Sequence, residues 1–391
     1  MKDNIFAYID SIQAEIHDMA DYIFDNPEIG FGEHKAAERL TNYLDKNGFR
    51  VECGIGGLET AFRAVYENGE GGPSIGMLCE YDALINIGHA CAHHMQGPSI
   101  VAAAIALKNT VMDLPYKLVI YGTPAEETSG GKIIMLKNGC FKDIDIALMM
   151  HGSPTTTTDV KCMALSSFAV TFKGKSAHAA IEPEMGRSAL DALLLAFHGI
   201  ECLREHVKED TRMHYTVTNA GGPDNVVPGI ATGTFALRSY NRKYLDHVVD
   251  RFKNIIKGAA LMTGTRYDIL EDNAFDSKIP VIKLNDLLME NARLVNAPAI
   301  KPAREKTGST DFGNVMYNVP GSCIRIAFVD EKTAAHSQEY LDAGKTEKAH
   351  EAEVLAAKIL AASSYDIIAN KVLLEEIKEE FKNTKAAMSD F

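Results

Sequence analysis

The chain has 391 residues, 46 % of them hydrophobic, and a formal net charge of −13. That length can hold two domains with separate cores, and so acidic a balance argues against nucleic acid, whose phosphates attract Lys and Arg. No run of about 18 apolar residues occurs, which argues against a membrane-spanning helix. The seven cysteines are scattered and odd in number, as suits reduced thiols rather than a disulfide framework. The opening Met1-Lys-Asp-Asn-Ile-Phe-Ala-Tyr8 lacks the charged-then-apolar layout of a secretion signal, so the expected location is cytoplasmic.

Apolar spacing predicts a helix from about Asn4 to Phe24, broken at Asn26-Pro27 and the following glycines. A second helix is expected from Lys35 to Asn47, stopping at Gly48. Short apolar runs at Ser74–Cys79, Lys117–Tyr121 and Ile144–Met150 read as strands, with helices at Pro98–Thr110 and Lys132–Asn138 between them. Strands alternating with helices imply an α/β domain with an open, largely parallel sheet. Ligands gather at the carboxyl ends of such strands, and Asp82, Glu126, Glu127 and His151 are expected just past those ends.

The pattern changes near Leu165. Strands at Ser167–Lys173, Met213–Asn219, Ile230–Ser239 and Arg266–Leu270 alternate with helices at Gly186–Arg204 and Lys243–Met262. This β-α-β-β-α-β order is that of a ferredoxin-like α+β domain. It reads as an insertion over residues 164–276, because segments of the first kind resume after Ile279, with a returning core strand at Ser322–Phe328. The first domain then comprises residues 1–163 and 277–391, ending in a long amphipathic helix from Thr346 to Asn370 and a charged one from Lys371.

Metal-binding residue types cluster in three places: His89-Ala-Cys91-Ala-His93-His94, Glu126-Glu127, and Met150-His151-Gly152. On an extended stretch, adjacent carboxylates point to opposite sides and residues two apart share a face. Glu126 and Glu127 can thus divide between binding a metal and moving a proton, and Cys91 and His93 can face one ion. Charges at the end of a buried strand are costly unless paired or bound to metal. Thiolate and imidazole favour a transition metal over calcium or magnesium. A Cys-x-His pair, the strand-end His151 and His336 are each weak signals alone, and spacing leaves His89 and His94 open as ligands. Together, Cys91, His93, Glu127, His151 and His336 could serve two metals, with Glu126 left as base.

Several motifs in order make the chain resemble the metal-dependent amidohydrolases related to aminoacylase and glutamate carboxypeptidase. The resemblance is to the branch of indole-acetyl-amino-acid hydrolases and aminobenzoyl-glutamate hydrolases. It rests on Glu80-Tyr-Asp-Ala-Leu84, Gly88-His-Ala-Cys-Ala-His93, Gly122-Thr-Pro-Ala-Glu-Glu127, Met150-His-Gly152, Gly174-Lys-Ser-Ala-His-Ala179, Asn225-Val-Val-Pro228, Ser309-Thr-Asp-Phe-Gly313 and Ala335-His-Ser337, over nearly the whole chain. It implies a di-metal hydrolase domain whose insertion is a lid and dimerisation domain. It also implies metal ligands Cys91, His93, Glu127, His151 and His336, with Cys91 bridging two divalent ions (Zn, Mn, Co or Ni). Glu126 would be the general base and then the proton donor. Two positions depart from the family pattern: Ala92 stands where Gly is usual, and Ile85 where Pro is usual.

The implied reaction is attack of metal-bound hydroxide on the amide carbon of an N-acyl or aryl-acyl amino acid or a dipeptide. His178 would donate to the developing oxyanion, in cis or across a homodimer. Asn225 would help hold substrate, and Arg238 would pair with a substrate carboxylate or make a structural ion pair. Asp82 and Asp311 would orient the site from behind the ligands, and His214 reads as an ordinary strand residue. Other readings are a hydrolase of a carbamate or other non-peptide amide, and a family member that binds ligand without catalysis. A serine hydrolase finds no Gly-x-Ser-x-Gly elbow. Neither nucleic acid nor membrane is expected as a partner.

Overall fold

The computed structural model describes residues 1–389, which form two compact units. One comprises Met1–Cys162 with Lys278–Ala387, and the other Met163–Ser277 with Met388 and Ser389.

The first unit is built on a seven-stranded sheet. Its strands are β1 (Arg50–Cys53), β2 (Phe62–Asn68), β3 (Ser74–Cys79), β4 (Tyr116–Gly122), β5 (Ile146–Ser153), β6 (Thr157–Thr158) and β11 (Gly321–Ala327), in the order β1-β2-β4-β3-β5-β11-β6. The central four run parallel, and β1, β2 and β6 are antiparallel additions at the edges. The chain leaves β3 for β4 on one side and returns to β5 on the other, so the strand order reverses around β3. Crevices at such reversals take ligands.

Alternate residues of each central strand face two different cores. Ile146, Leu148 and Met150 of β5 and Ile324 and Ile326 of β11 pack with α4 (Gln96–Thr110) and α11 (Glu347–Ala369). Ala147, Met149 and Cys323 pack on the opposite face with α5 (Gly131–Lys137) and α9 (Phe312–Asn318). Gln96 to Leu107 are all buried, so α4 is apolar on every side, as a helix enclosed by protein must be.

The expected single helix over Asn4–Phe24 is two helices, Lys2–Ser11 and Gln13–Asp25, because Ile12 leaves helical angles (φ −110, ψ 10). No Gly or Pro marks that break; Ile5 and Ile9 on one side, and Ile16, Met19 and Ile23 on the other, are buried in one core.

The second unit has four antiparallel strands, β7 (Ala164–Lys173), β8 (Arg212–Asn219), β9 (Ile230–Ser239) and β10 (Arg266–Glu271), ordered β10-β7-β9-β8. With α6 (Ala189–Arg204) and α7 (Arg242–Thr263) this is the ferredoxin-like arrangement. Burial alternates strictly along β7 and β9, the mark of a sheet with one face covered. Ser188 and Asn241 cap the two helices by accepting from the backbone N–H of Asp191 and Tyr244. Among the described residues, no helix is long and apolar enough to cross a membrane.

Candidate metal centre

The sequence places Cys91, His93, Glu126 and Glu127 on extended backbone; the fold places them on turns. Ala92 adopts a left-handed conformation (φ 60, ψ 26) and His93 opens a short 3-10 helix that leads into α4. Left-handed Ala125 (φ 60) likewise precedes a turn holding Glu126 and Glu127. Each pair is therefore aimed by a backbone reversal rather than by strand alternation. Glu33, fully buried, fixes the second reversal: its carboxylate accepts from the Ala125 N–H at 2.8 Å and from the Thr60 hydroxyl at 2.9 Å. His151 lies within β5 rather than just beyond it, since the strand runs on to Ser153.

These turns bring the five expected ligands together. Cys91, His93 and His151 present ligand atoms within 4.8 Å of one another, and so do Cys91, Glu127 and His336. The two triads share the Cys91 thiol. Cys91 Sγ is 3.7 Å from His151 Nε2, and Glu127 Oε1 is 3.4 Å from His336 Nε2. His336 also has positive φ (65), its N–H donating to the Ala90 carbonyl at 2.9 Å. His93 Nε2 and Glu127 Oε1 are buried with no hydrogen-bond partner among the described residues. Such orphaned atoms are rare unless they serve a ligand, and a soft thiolate–imidazole–carboxylate set fits a transition metal.

The histidines are set for ligation. His93 Nδ1 lies 3.1 Å from Asp82 Oδ1 and 3.0 Å from the Asp82 carbonyl, which leaves Nε2 forward. The other Asp82 oxygen accepts from the Glu127 N–H at 2.9 Å, so one carboxylate orients two ligands. His151 Nδ1 lies 2.7 Å from the Gly152 carbonyl. Burial, and then the Arg325 guanidinium and His93, push His151 down to about 3, so its imidazole is neutral. Burial pushes the Cys91 thiol up to about 12 despite the nearby His93.

Behind the expected ligands lies a charged network of which motif reading gave Asp311 a role but overlooked Lys132 and Gln96. Fully buried Lys132 donates from Nζ to Glu80 Oε1 at 2.6 Å and to Asp311 Oδ1 at 2.7 Å. Its backbone N–H donates to the other Asp311 oxygen at 3.0 Å. Gly131 makes this possible, because a Cβ there would sit 1.9 Å from the Pro124 carbonyl oxygen. Gln96 donates to the second Glu80 oxygen at 2.7 Å, and that oxygen is 3.3 Å from His93 Nε2.

Burial would raise Glu80, but Lys132 and His93 outweigh it and hold the carboxyl at about 2. One ammonium cannot serve both carboxylates equally: burial leaves Asp311 at about 6 in spite of Lys132. Glu126 groups with His93 and Glu127, and also with Glu80 and Asp311, each set within 4.8 Å. Burial, then the neighbouring Glu80 and Asp311, raise Glu126 well above the usual carboxylate range. It sits beside the ligands yet shares no group with Cys91, His151 or His336.

The expected substrate residues lie in the second unit. The His178 backbone bridges to Val226, the Ala179 N–H donates to the Asn225 carbonyl at 2.9 Å, and both His178 and Asn225 are exposed. Ile230 pairs with Lys173, which leads into the His178 turn, whereas Arg238 lies eight residues further along β9. At roughly 3.3 Å per residue, Arg238 lies about 26 Å along the strand from Ile230. His214 is an exposed residue of β8.

Comparison with known proteins agrees with this geometry. Residues 164–262 match the peptidase dimerisation domain. The chain is 32 % identical to Xaa-Arg dipeptidase of Mus musculus, over 96 % of this chain and 90 % of that one. It is 31 % identical to one of the p-aminobenzoyl-glutamate hydrolase subunits of Escherichia coli, over 96 % and 94 %. The fold is shared with a dinuclear metal binding peptidase of the M20 family from Bacillus subtilis, at a TM-score of 0.71 and 18 % identity, covering 92 % of this chain and 99 % of that one. The chain belongs to the M20 family of peptidases and amidohydrolases.

Proposed function

We propose that this protein hydrolyses the amide bond of a small N-acyl or aryl-acyl amino acid or a dipeptide, using two divalent transition-metal ions. The observation that carries this reading is the pair of ligand triads sharing Cys91, with Glu126 beside them. Cys91, His93 and His151 would hold one ion, and Cys91, Glu127 and His336 the other; Zn, Mn, Co and Ni all suit these donors. When bound, such ions polarise the scissile carbonyl and make water a nucleophile near neutral pH.

The chain's own residues do the rest. Glu126 accepts a proton from the attacking water on a carboxylate oxygen and delivers it to the departing amine nitrogen. A positioned acid–base group of this kind is worth roughly 10²–10⁴ in rate. Asp82 keeps His93 and Glu127 in register with each other. Glu80, Lys132 and Asp311 keep the floor under Glu126 rigid and close to charge-balanced. His178 is assigned as the donor to the developing oxyanion, Asn225 as a substrate contact and Arg238 as the partner of a substrate carboxylate, all three from the inserted unit. The match of that unit to a dimerisation domain supports a homodimer, and the scattered, odd-numbered cysteines support a cytoplasmic location.

The test is hydrolysis of N-acyl amino acids, aryl-acyl glutamates and dipeptides by metal-stripped protein re-supplied with each of the four metals. Cleavage restored by metal supports the reading. Activity that survives complete metal removal, or tight metal binding without turnover on any of these amides, overturns it.

A further inference from the structure

The residues of the metal centre differ in how firmly the fold holds them. The His93 side chain is 1 % exposed and that of Glu127 12 %, whereas His336 is 50 % exposed. His336 also stands in the left-handed region (φ 65), which a residue with a Cβ disfavours. Its turn therefore depends on bonds from outside to present the imidazole to Glu127 and Cys91. One is the His336 N–H donating to the carbonyl of Ala90, beside Cys91. The other comes from Tyr340.

Tyr340 is the buried residue of α10 (Gln338–Asp342), the short helix that follows the turn. Its hydroxyl donates to the Gly152 carbonyl at 2.8 Å, and the same oxygen accepts from His151 Nδ1 at 2.7 Å. A carbonyl oxygen has two lone pairs, so both bonds form at once. Gly152 has little room to yield. A Cβ there would lie 2.8 Å from the Ala92 Cβ and 2.9 Å from the Phe328 ring, and that ring meets Tyr340 edge-on with centroids 4.8 Å apart. At the other end the Tyr340 N–H donates to Ser337 Oγ at 3.2 Å, and Ser337 Oγ donates to the Ala334 carbonyl at 2.8 Å, which closes the turn around His336. Through one shared oxygen, Tyr340 joins His151 of one triad to His336 of the other.

We infer that Tyr340 is a positioning residue of the metal centre: its hydroxyl pins the His336 turn to the end of β5 and so sets how tightly the ion of Cys91, Glu127 and His336 is held. The inference rests on the two-ion reading and adds to it a bond that fixes one ion site against the other. The ion of Cys91, His93 and His151 depends on it less, because β5 and its own bond to the Gly152 carbonyl keep His151 in place.

The test titrates metal-stripped protein with Zn²⁺ in competition with a chromophoric chelator, which resolves two binding steps. Tyr340→Phe keeps the ring against Phe328 and removes the hydroxyl alone. The step that His336→Ala abolishes should weaken ~10–100-fold in Tyr340→Phe, the usual cost of losing a bond behind a metal ligand, while the other step stays unchanged. Adding Tyr340→Phe to His336→Ala should leave the remaining ion's affinity as it was. Ser337→Ala opens the same turn from its other bond; it should weaken the same step, and it decides the matter should the Phe variant not fold. Both steps unchanged, both weakened alike, or a further loss in the His336→Ala background would mean that the hydroxyl serves the fold at large, and overturns the inference. A wild type that takes up a single ion overturns the two-ion reading and the inference together. Hydrolysis is scored apart: two ions held without turnover count against the amidohydrolase reading and not against Tyr340.

Discussion

Lys132 Nζ lies 2.6 Å from Glu80 Oε1, and neither side chain reaches solvent. Glu80 in turn is 3.3 Å from His93 Nε2, so a buried ion pair directly backs the proposed metal ligand His93. Removing one member of such a pair strands a charge in the interior, at a cost of about 3–5 kcal/mol. Lys132→Met should lower stability by that much in urea denaturation of the metal-stripped protein, because Glu80 and Asp311 both lose their counter-ion. A loss below about 1 kcal/mol would mean the network is not held by Lys132.

The shared thiol predicts an asymmetry among ligand variants. Cys91→Ala removes a donor from both triads, whereas His151→Ala and His336→Ala each remove one donor from one triad. Metal analysis after dialysis should show both ions depleted in the Cys91 variant and one retained in each histidine variant. Equal loss in all three would argue against a bridging thiol.

Metal should also stabilise the fold, since the ligands come from four separate stretches of the first unit. Ligand present at 100 times its Kd adds about 2.7 kcal/mol. Re-supplying metal to stripped protein should therefore raise the thermal midpoint, and Glu127→Ala should shrink that rise. An unchanged midpoint would contradict assembly of these residues around an ion.

Away from the site, Glu353 on α11 is fully buried, and neither carboxylate oxygen has a partner among the described residues. Burial, then Asp21, raise it well above the usual range. The folded chain consequently binds this proton more tightly than the unfolded chain, where the pKa is about 4.3. Its contribution to stability is complete below that pH and is lost as pH rises toward the folded value, at up to ~1.4 kcal/mol per unit. Glu353→Gln should gain on wild type as pH rises from about 5 toward the folded pKa in thermal denaturation. A difference independent of pH would remove Glu353 from this role.

Local pattern carried much of the architecture. The parallel strands β3, β4 and β5, and the β-α-β-β-α-β insertion, are legible because their periods are short and their turns are marked. The edge strands β1 and β2 are not, since Val51 and Ala64 meet through antiparallel pairing that no local signal announces. The five proposed ligands are legible as residue types and motifs. The turns that aim them are not, because left-handed Ala92 and Ala125 stand where a glycine would have given notice. Lys132, Gln96 and Arg325 act through partners 52, 16 and 166 residues away, and such separations leave no periodic trace.

The most direct test is a paired measurement on Glu126→Gln: metal content per chain, and turnover of the best amide substrate. Both metals should stay bound while turnover falls by at least ~10²-fold. Near-normal turnover, or loss of metal along with activity, would contradict the assignment of Glu126 as the proton carrier beside a centre built by its neighbours.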